Sequence, residues 1–198
     1  MKKNRREELI SIAYKLFTTK GYENTSVDEM IAEAKIAKGT FYYYFISKEE
    51  ILNEVIDKMI SQESEYARQI LLQPIPVEQK IIGIMGAFNP QGNEINIVNA
   101  LNDESNLKMH SRVNKKVIAI AIPILKKVVL EGVEKHIFNC NNIEERLRII
   151  LILSNELFNS QNFNERDVEV FVDTVEKILG AKSGTMEFIK KLIGGYNE

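Results

Sequence analysis

The feature that most constrains this chain is the spacing of its apolar residues, which recur every three or four positions along most of the sequence. This interval places side chains on one face of an α-helix, whereas a half-buried strand requires strict alternation. The first such stripe holds Leu9, Ile10, Ala13, Leu16 and Phe17. The pattern therefore predicts an all-α protein.

Capping residues and helix breakers set the predicted helix limits. Ser26 with Glu29, and Ser47 with Glu50, have the spacing of a capping box, in which two side chains satisfy free amides of the first turn. Glycine and proline act as stop signals. The predicted helices begin at about Leu9 and continue over residues 26–34, 38–45, 47–72, 77–88, 95–108, 111–138, 142–158, 164–179 and 185–193.

The segment 111–138 admits two interpretations. Val117–Ile122 is uniformly apolar and would suit a buried strand, but helical spacing resumes at Leu125 and the sequence predicts no partner strand. We therefore predict one long helix, kinked at Pro123 because proline removes a backbone hydrogen bond.

Composition excludes several classes of protein. A single cysteine and two distant histidines exclude a disulfide framework and a zinc finger. Val117–Leu125 is only nine residues long, too short to cross a bilayer, and Met1–Arg6 lacks the apolar segment of a signal peptide. We also recognise no Ser/His/Asp set, metal-ligand spacing or glycine-rich phosphate loop. These observations predict a cytoplasmic protein that is not an enzyme and needs no cofactor or metal.

Charge is concentrated at one end of the chain. Residues 1–48 hold nine Lys and Arg against six Asp and Glu, whereas residues 49–198 hold 17 against 22. A basic module joined to an acidic remainder is typical of a polyanion-binding domain, although a solubilising tail has the same signature.

The side chains that indicate a function lie within residues 25–48. Two short helices joined by a three-residue turn have the geometry of a helix-turn-helix. At about 100° per residue, Phe41 and Phe45 define the buried side of the second helix, and Gly39, Thr40 and Tyr43 point away from it.

Three consecutive tyrosines, Tyr42, Tyr43 and Tyr44, make an unusual surface on so short a helix. A phenol offers an apolar ring and a hydroxyl donor, which suits contact with a phosphate backbone. Thr25 and Ser26 at the start of the first short helix, and Lys48 at the start of the next helix, have groups that bind phosphate. The alternative is that the tyrosines pack against the rest of the protein.

The run Thr25–Ala34 followed by Lys38–Leu52 resembles the DNA-binding domain of the TetR family of transcriptional regulators, and the preceding helix with its Gly21-Tyr22 turn matches as well. The resemblance covers roughly residues 5–60. It implies a homodimer whose recognition helices enter successive major grooves of a palindromic operator, and a C-terminal domain that binds a small effector and releases the DNA. It also implies roles for single residues: Lys38, Gly39, Thr40 and Tyr43 face the groove, and Thr25, Ser26, Tyr42, Tyr44 and Lys48 contact phosphates.

Two positions depart from the family pattern. Lys35 occupies the turn where the family usually has glycine, and a left-handed residue with a side chain costs roughly 1–2 kcal/mol. Ala37 precedes the recognition helix where the family often has Ser or Thr, a loss of about 1 kcal/mol.

The sequence predicts two domains, a helix-turn-helix DNA-binding domain over residues 1–60 (helix-turn-helix about 26–45) and a helical effector-binding and dimerisation domain over 61–198. Leu147–Leu153 and Val168–Val172 are apolar almost all round, which predicts a homodimer through helices of about 143–158 and 165–179. Burial of both segments in a monomer core is the alternative.

We expect a small apolar or aromatic effector near Pro123, between residues such as Met85, Phe88 and Met109. His110, His136 and Cys140 are candidate sensing groups, although structural roles suit them better. The sequence thus predicts a DNA-binding transcriptional repressor. The alternative is a helical small-molecule-binding protein or enzyme with the N-terminal domain as an appendage.

Overall fold

The computed structural model describes residues 4–88, 92–101, 107–158 and 163–194. Within these ranges the regular structure is helical, which confirms the all-α fold. A 3₁₀ turn, Gly92–Glu94, precedes α6. The α-helices are α1 (Arg5–Lys20), α2 (Val27–Ala34), α3 (Lys38–Tyr44), α4 (Lys48–Leu71), α5 (Val77–Ala87), α6 (Ile95–Leu101), α7 (Leu107–Glu134), α8 (Ile143–Phe158), α9 (Glu165–Leu179) and α10 (Phe188–Gly194).

The structure of α7 distinguishes the two interpretations of residues 111–138, a long helix or a buried strand at 117–122. Residues 117–122 are helical, so a strand there is wrong, and Pro123 lies inside the helix. The helix ends at Glu134, before the predicted Phe138, because His136 turns left-handed at φ 58°. The amide of Ile137 then donates to the carbonyl of Gly132 at 2.8 Å. The predicted helix over 95–108 is α6, which ends at Leu101, and residues 102–106 lie outside the described ranges.

The chain divides into two compact units that are not continuous in sequence. The first contains Met1–Glu63 and Asn89–Lys115, and the second contains Ser64–Phe88 and Lys116–Glu198. The sequence predicts a boundary at residue 60, which puts residues 89–115 in the C-terminal domain. In the structure those residues group with the N-terminal helices instead.

Polar contacts attach the segment 92–101 to α1 in the first unit. The Tyr14 hydroxyl donates to Glu94 Oε1 at 2.9 Å, and Asn96 Nδ2 donates to the carbonyl of Thr18 at 2.8 Å. Burial, and then the nearby charge of Glu94, raises the pKa of Glu63 to about 7. A carboxyl group of the first unit therefore titrates close to neutral pH.

Apolar packing dominates the second unit, where one cluster joins side chains of α5, α7, α8, α9 and the turn before α10. Lys80 is buried in this unit and pairs with Glu131 at 2.6 Å. No helix among the described residues has the length and apolar character needed to cross a membrane.

Candidate nucleic-acid interface

The first helix of the candidate interface, α2, begins at a complete capping box. Ser26 Oγ accepts from the Glu29 amide at 3.1 Å, and the Glu29 carboxylate accepts from the Ser26 amide at 2.9 Å. Hydrogen bonds from Lys20 and from the Ser26 amide lower the pKa of Glu29, so the carboxylate stays charged near the helix N-terminus. The predicted capping box is therefore confirmed at α2.

The turn between α2 and α3 contains both departures from the family pattern. Lys35 ends α2 in the left-handed conformation, at φ 52° and ψ 48°, where glycine would carry less strain. Ala37 occupies the N-cap position of α3 and has no side-chain oxygen with which to accept an amide proton. The turn thus adopts the geometry that the sequence predicts, without the residues that favour it most.

Two phenylalanines anchor α3. Phe41 and Phe45 are fully buried, and their ring centroids lie 5.9 Å apart. The guanidinium of Arg6 on α1 lies 5.3 Å from the Phe45 ring centroid, within the range of a cation–π contact. One side of the helix is therefore fixed in the first unit, as the helical spacing predicts.

The opposite side of α3 faces water. Tyr43 is 81% exposed, Thr40 is half-buried, and a Cβ built at Gly39 would meet no heavy atom of the described residues within 4 Å. Lys38 Nζ lies 3.4 Å from Asp28 Oδ1, and both side chains are largely exposed, so this pair holds the lysine only weakly. These residues form an open surface on which a ligand can approach the backbone of α3.

The tyrosine rings of α3 are ordered by contacts with one another and with Phe41. Tyr42 packs edge-to-face on Phe41 at 5.4 Å, and Tyr43 packs edge-to-face on Tyr44 at 4.9 Å. Tyr42 and Tyr43 are exposed and Tyr44 is half-buried. Burial of all three tyrosines, the alternative interpretation, is therefore wrong for Tyr42 and Tyr43.

Two of the predicted phosphate contacts are engaged within the protein. Thr25 is 1% exposed, and its hydroxyl donates to the carbonyl of Gly21 at 2.8 Å. Its side chain closes the turn before α2, so it is not available to a surface ligand in this conformation. Lys48 Nζ donates to the carbonyls of Tyr22 and Thr25 at 2.8 and 3.0 Å. The Lys48 contacts join residues 26 and 23 positions apart, which no local sequence pattern reveals, whereas the Thr25 bond to Gly21 is local. The other seven predicted residues lie on the exposed or half-buried surface of α2 and α3: Ser26, Lys38, Gly39, Thr40, Tyr42, Tyr43 and Tyr44.

The three candidate sensing groups lie on α7 and in the segment between α7 and α8. His110 lies 3.2 Å from the Asn114 amide nitrogen within α7, and His136 occupies the left-handed turn after that helix. Burial raises the pKa of the Cys140 thiol, which lowers its thiolate fraction. Among the residues that the structure describes, no three His, Cys, Asp or Glu side chains are grouped as metal ligands.

The fold and the open face of α3 define a helix-turn-helix protein with a second, helical unit. Residues 9–55 match the family model described as bacterial regulatory proteins of the tetR family. The match identifies these N-terminal helices as similar to the DNA-binding domain of that family, over about a quarter of the chain.

Two relatives with curated names match over part of the chain. The chain is 47% identical over 55 residues to the uncharacterized HTH-type transcriptional regulator YuxN of Bacillus subtilis, covering 28% of this chain and 19% of that protein. It is 38% identical over 76 residues to the HTH-type transcriptional regulator HbdR of Aromatoleum, covering 38% of this chain and 33% of that protein. The matches thus span less than half of either relative. Both relatives are transcriptional regulators, which agrees with the expectation that the chain is not an enzyme.

The similarity in fold extends beyond residues 9–55. The crystal structure of RolR in complex with the ligand resorcinol aligns with a TM-score of 0.63 at 18% identity, over 92% of this chain and 91% of that one. At this identity the alignment shows a shared fold, and it covers more of the chain than the family model over residues 9–55.

Proposed function

We propose that the protein is a transcriptional regulator that acts as a homodimeric repressor on a palindromic operator and leaves it when a small effector binds. The observation that carries this proposal is the two-sided character of α3. Phe41 and Phe45 fix one side, while Gly39 and Tyr43 are open to water on the other. A rigid helix with an exposed polar face is what entry into a major groove requires.

The residues of the open face divide into two kinds of contact. Lys38, Gly39, Thr40 and Tyr43 face the base edges, and Gly39 lets the backbone approach them closely. Ser26, Tyr42 and Tyr44 donate to phosphate oxygens and set the register on the duplex. The excess of basic residues in 1–48 supports this assignment, since phosphate neutralisation supplies much of the affinity for DNA.

The second copy of the chain docks on α8 and α9. Leu147 and Ile150 on α8 are buried in the apolar cluster, whereas Ile149, Ile152 and Leu153 are about half exposed. On α9, Val170 is exposed in the same way. One chain therefore does not bury these side chains, contrary to the monomer-core alternative. A helix that is apolar on both sides is stabilised by a second copy in a four-helix seam.

The effector of this proposal is a small apolar or aromatic molecule bound in the second unit. RolR, which shares the fold, binds the aromatic ligand resorcinol in its crystal structure. Met85 and Phe88 lie partly buried at the edge of the apolar cluster and are candidate contacts. Met109, which the sequence predicts beside them, belongs to the first unit.

Repression and release follow from a population shift. In the DNA-binding state the two recognition helices sit about 34–36 Å apart, one helical turn of the duplex. An effector that binds more tightly to a dimer with another spacing lowers the population of the DNA-binding state. The size of this shift is set by the difference between the effector's affinities for the two states.

The test begins with selection of bound duplexes from a random double-stranded pool, followed by fluorescence anisotropy with the selected sequence. We expect a palindromic site and an affinity that falls steeply with salt. A folded dimer that retains no duplex at low salt would contradict the proposal.

Two tyrosine variants locate the interface. We expect Tyr43→Ala to weaken binding by about tenfold, about 1.4 kcal/mol, because it removes a ring and a hydroxyl from the open face. Tyr66→Ala is the matched control, since Tyr66 is also an exposed tyrosine but lies on α4 in the second unit. Equal DNA affinities for the two variants would exclude α3 as the helix that contacts the bases.

A further inference from the structure

The ammonium of Lys48 is enclosed by groups of the turn that precedes α2. Its Nζ lies 2.8 Å from the carbonyl oxygen of Tyr22, 3.0 Å from that of Thr25 and 4.1 Å from the centroid of the Tyr22 ring. Two of its three protons are donated to backbone oxygens, and the ring face adds a cation–π contact. Lys48 thus joins the first residue of α4 to a turn more than twenty residues earlier.

This placement is electrostatically demanding, because Lys48 begins α4 and a helix N-terminus carries a partial positive charge. The two carbonyl dipoles and the ring supply the compensating negative potential. Tyr22 is itself buried and packs edge-to-face on Phe17 at 5.3 Å, and burial raises the pKa of its hydroxyl. The ring under the ammonium is therefore neutral and fixed.

The same turn determines where α2 begins. The Thr25 amide donates to the Tyr22 carbonyl at 3.1 Å, the oxygen that also accepts from Lys48. The next residue, Ser26, is the N-cap of α2 and a proposed phosphate contact. Displacing the Tyr22–Thr25 turn would displace Ser26 and the free amides of the first turn of α2.

We propose that Lys48 is a positioning residue: it closes the Tyr22–Thr25 turn onto α4 and so holds the N-terminus of α2 for the phosphate backbone, instead of contacting a phosphate itself. This inference rests on the proposed function. It replaces the role that the family resemblance implies for Lys48, because the ammonium already has partners inside the protein.

The first arm of the test needs no DNA. In Lys48→Met, which keeps the length of the side chain and removes its donors, we expect the Thr25 amide to exchange its hydrogen at least tenfold faster than in the wild type. Lys20→Met is the control, since Lys20 is an exposed lysine beside the same turn that pairs with Glu29 at 2.6 Å. Unchanged exchange in Lys48→Met would overturn the proposal.

The second arm measures affinity for the selected duplex as a function of salt. We expect Lys48→Met to weaken binding by about tenfold at every salt concentration while the slope of log K against log salt stays at the wild-type value. A phosphate contact would lower the slope by about 0.9. Lys38→Met, at an exposed lysine on α3, provides the reference for a lost surface charge. A change of slope in Lys48→Met equal to that of Lys38→Met would overturn the proposal.

Lys48→Arg keeps the charge and tests the proposal independently, in case Lys48→Met folds poorly. A guanidinium binds phosphate at least as well as an ammonium, but its planar fork does not match two carbonyls that converge on one nitrogen above a ring. We expect a loss of affinity in Lys48→Arg, and full retention would overturn the positioning role. If the wild type binds no duplex, the proposed function fails, and the exchange arm still decides whether Lys48 closes the turn.

Discussion

The helix α3 and the helix pair α8–α9 both leave large side chains in water, but the chemistry of these side chains differs. On α3 they are tyrosines with a threonine and a glycine, whereas on α8 and α9 they are Ile149, Ile152, Leu153 and Val170. Each surface has a buried counterpart: Phe41 and Phe45 beneath the first, Leu147 and Ile150 beneath the second.

The difference indicates two kinds of partner. Hydroxyls and an accessible backbone suit a polar, hydrated ligand such as a duplex, because its donors and acceptors must be paired. Aliphatic side chains at helical spacing gain only by leaving water, which a second copy of the same surface allows. The two surfaces therefore respond to different substitutions.

The largest expected effect is on assembly. Ile152→Asp places a charge at the centre of the exposed apolar face of α8, and burying it against a second copy is costly. We expect the dimer dissociation constant to rise by at least about 100-fold, about 2.7 kcal/mol, in sedimentation velocity. DNA affinity should fall with it, because both half-sites must be occupied together.

Leu72→Asp is the matched control for this effect, since Leu72 is an exposed leucine that lies after α4 and outside the proposed seam. If the two aspartate variants dissociate to the same extent, α8 does not form the interface.

Two glycine variants test whether the duplex closely approaches the backbone of α3 on its open face. We expect Gly39→Ala to weaken DNA binding by about tenfold, about 1.4 kcal/mol, while thermal unfolding shows a gain of about 0.5–1 kcal/mol in stability. The opposite signs arise because a Cβ at Gly39 meets no described atom in the free protein but would meet the duplex.

Gly86→Ala on α5 provides the comparison in the second unit, where a Cβ also meets no described atom within 4 Å. We expect the same gain in stability there and unchanged DNA affinity. A loss of affinity in both variants would argue against close approach of the duplex at Gly39.

The polar contacts of the first unit predict a pH response. Because the pKa of Glu63 is raised to about 7, the folded protein keeps a proton that the unfolded chain loses near its ordinary value. Stability is therefore greatest at acidic pH and falls as pH rises through about 7. We expect a loss on the order of 1 kcal/mol between about pH 5 and 8 in urea unfolding, since water screens part of the effect.

Glu63→Gln should remove most of this dependence, because a neutral amide does not titrate. Glu33→Gln, at an exposed glutamate on α2, should leave it in place. A wild-type protein whose stability rises between pH 5 and 8 would contradict the assignment to Glu63.

The smallest expected effect concerns the turn before α3. Ala37→Ser supplies an oxygen that accepts from an amide of the first turn, and we expect the free energy of unfolding to rise by about 0.5–1 kcal/mol. The measurement is the urea midpoint. No gain would indicate that the Ala37 backbone, at φ −74° and ψ 149°, does not orient the serine toward that amide.

Local signals in the sequence located much of the fold and of the candidate interface. The capping box at Ser26 and the positive-φ glycines Gly21 and Gly180 lie where helix ends require them. The open face of α3 follows from the spacing of Phe41 and Phe45 alone. These features were predictable because each depends on residues within one or two turns of helix.

Contacts across long stretches of sequence were not predictable. The bonds that attach Glu94 and Asn96 to α1 join residues about 80 positions apart, so no local pattern indicated that residues 92–101 group with the N-terminal helices. Lys48 is a residue type that binds phosphate, yet its ammonium donates to carbonyls of the α1–α2 turn more than twenty positions away.

The sequence by itself determined the helices and the two different sides of α3, because helical periodicity and capping act over a few residues. Only the tertiary structure decided which polar side chains remain available to a partner. A hydroxyl or an ammonium has the same chemistry in every context, and its freedom to bind depends on whether the fold brings a backbone carbonyl within about 3 Å of it.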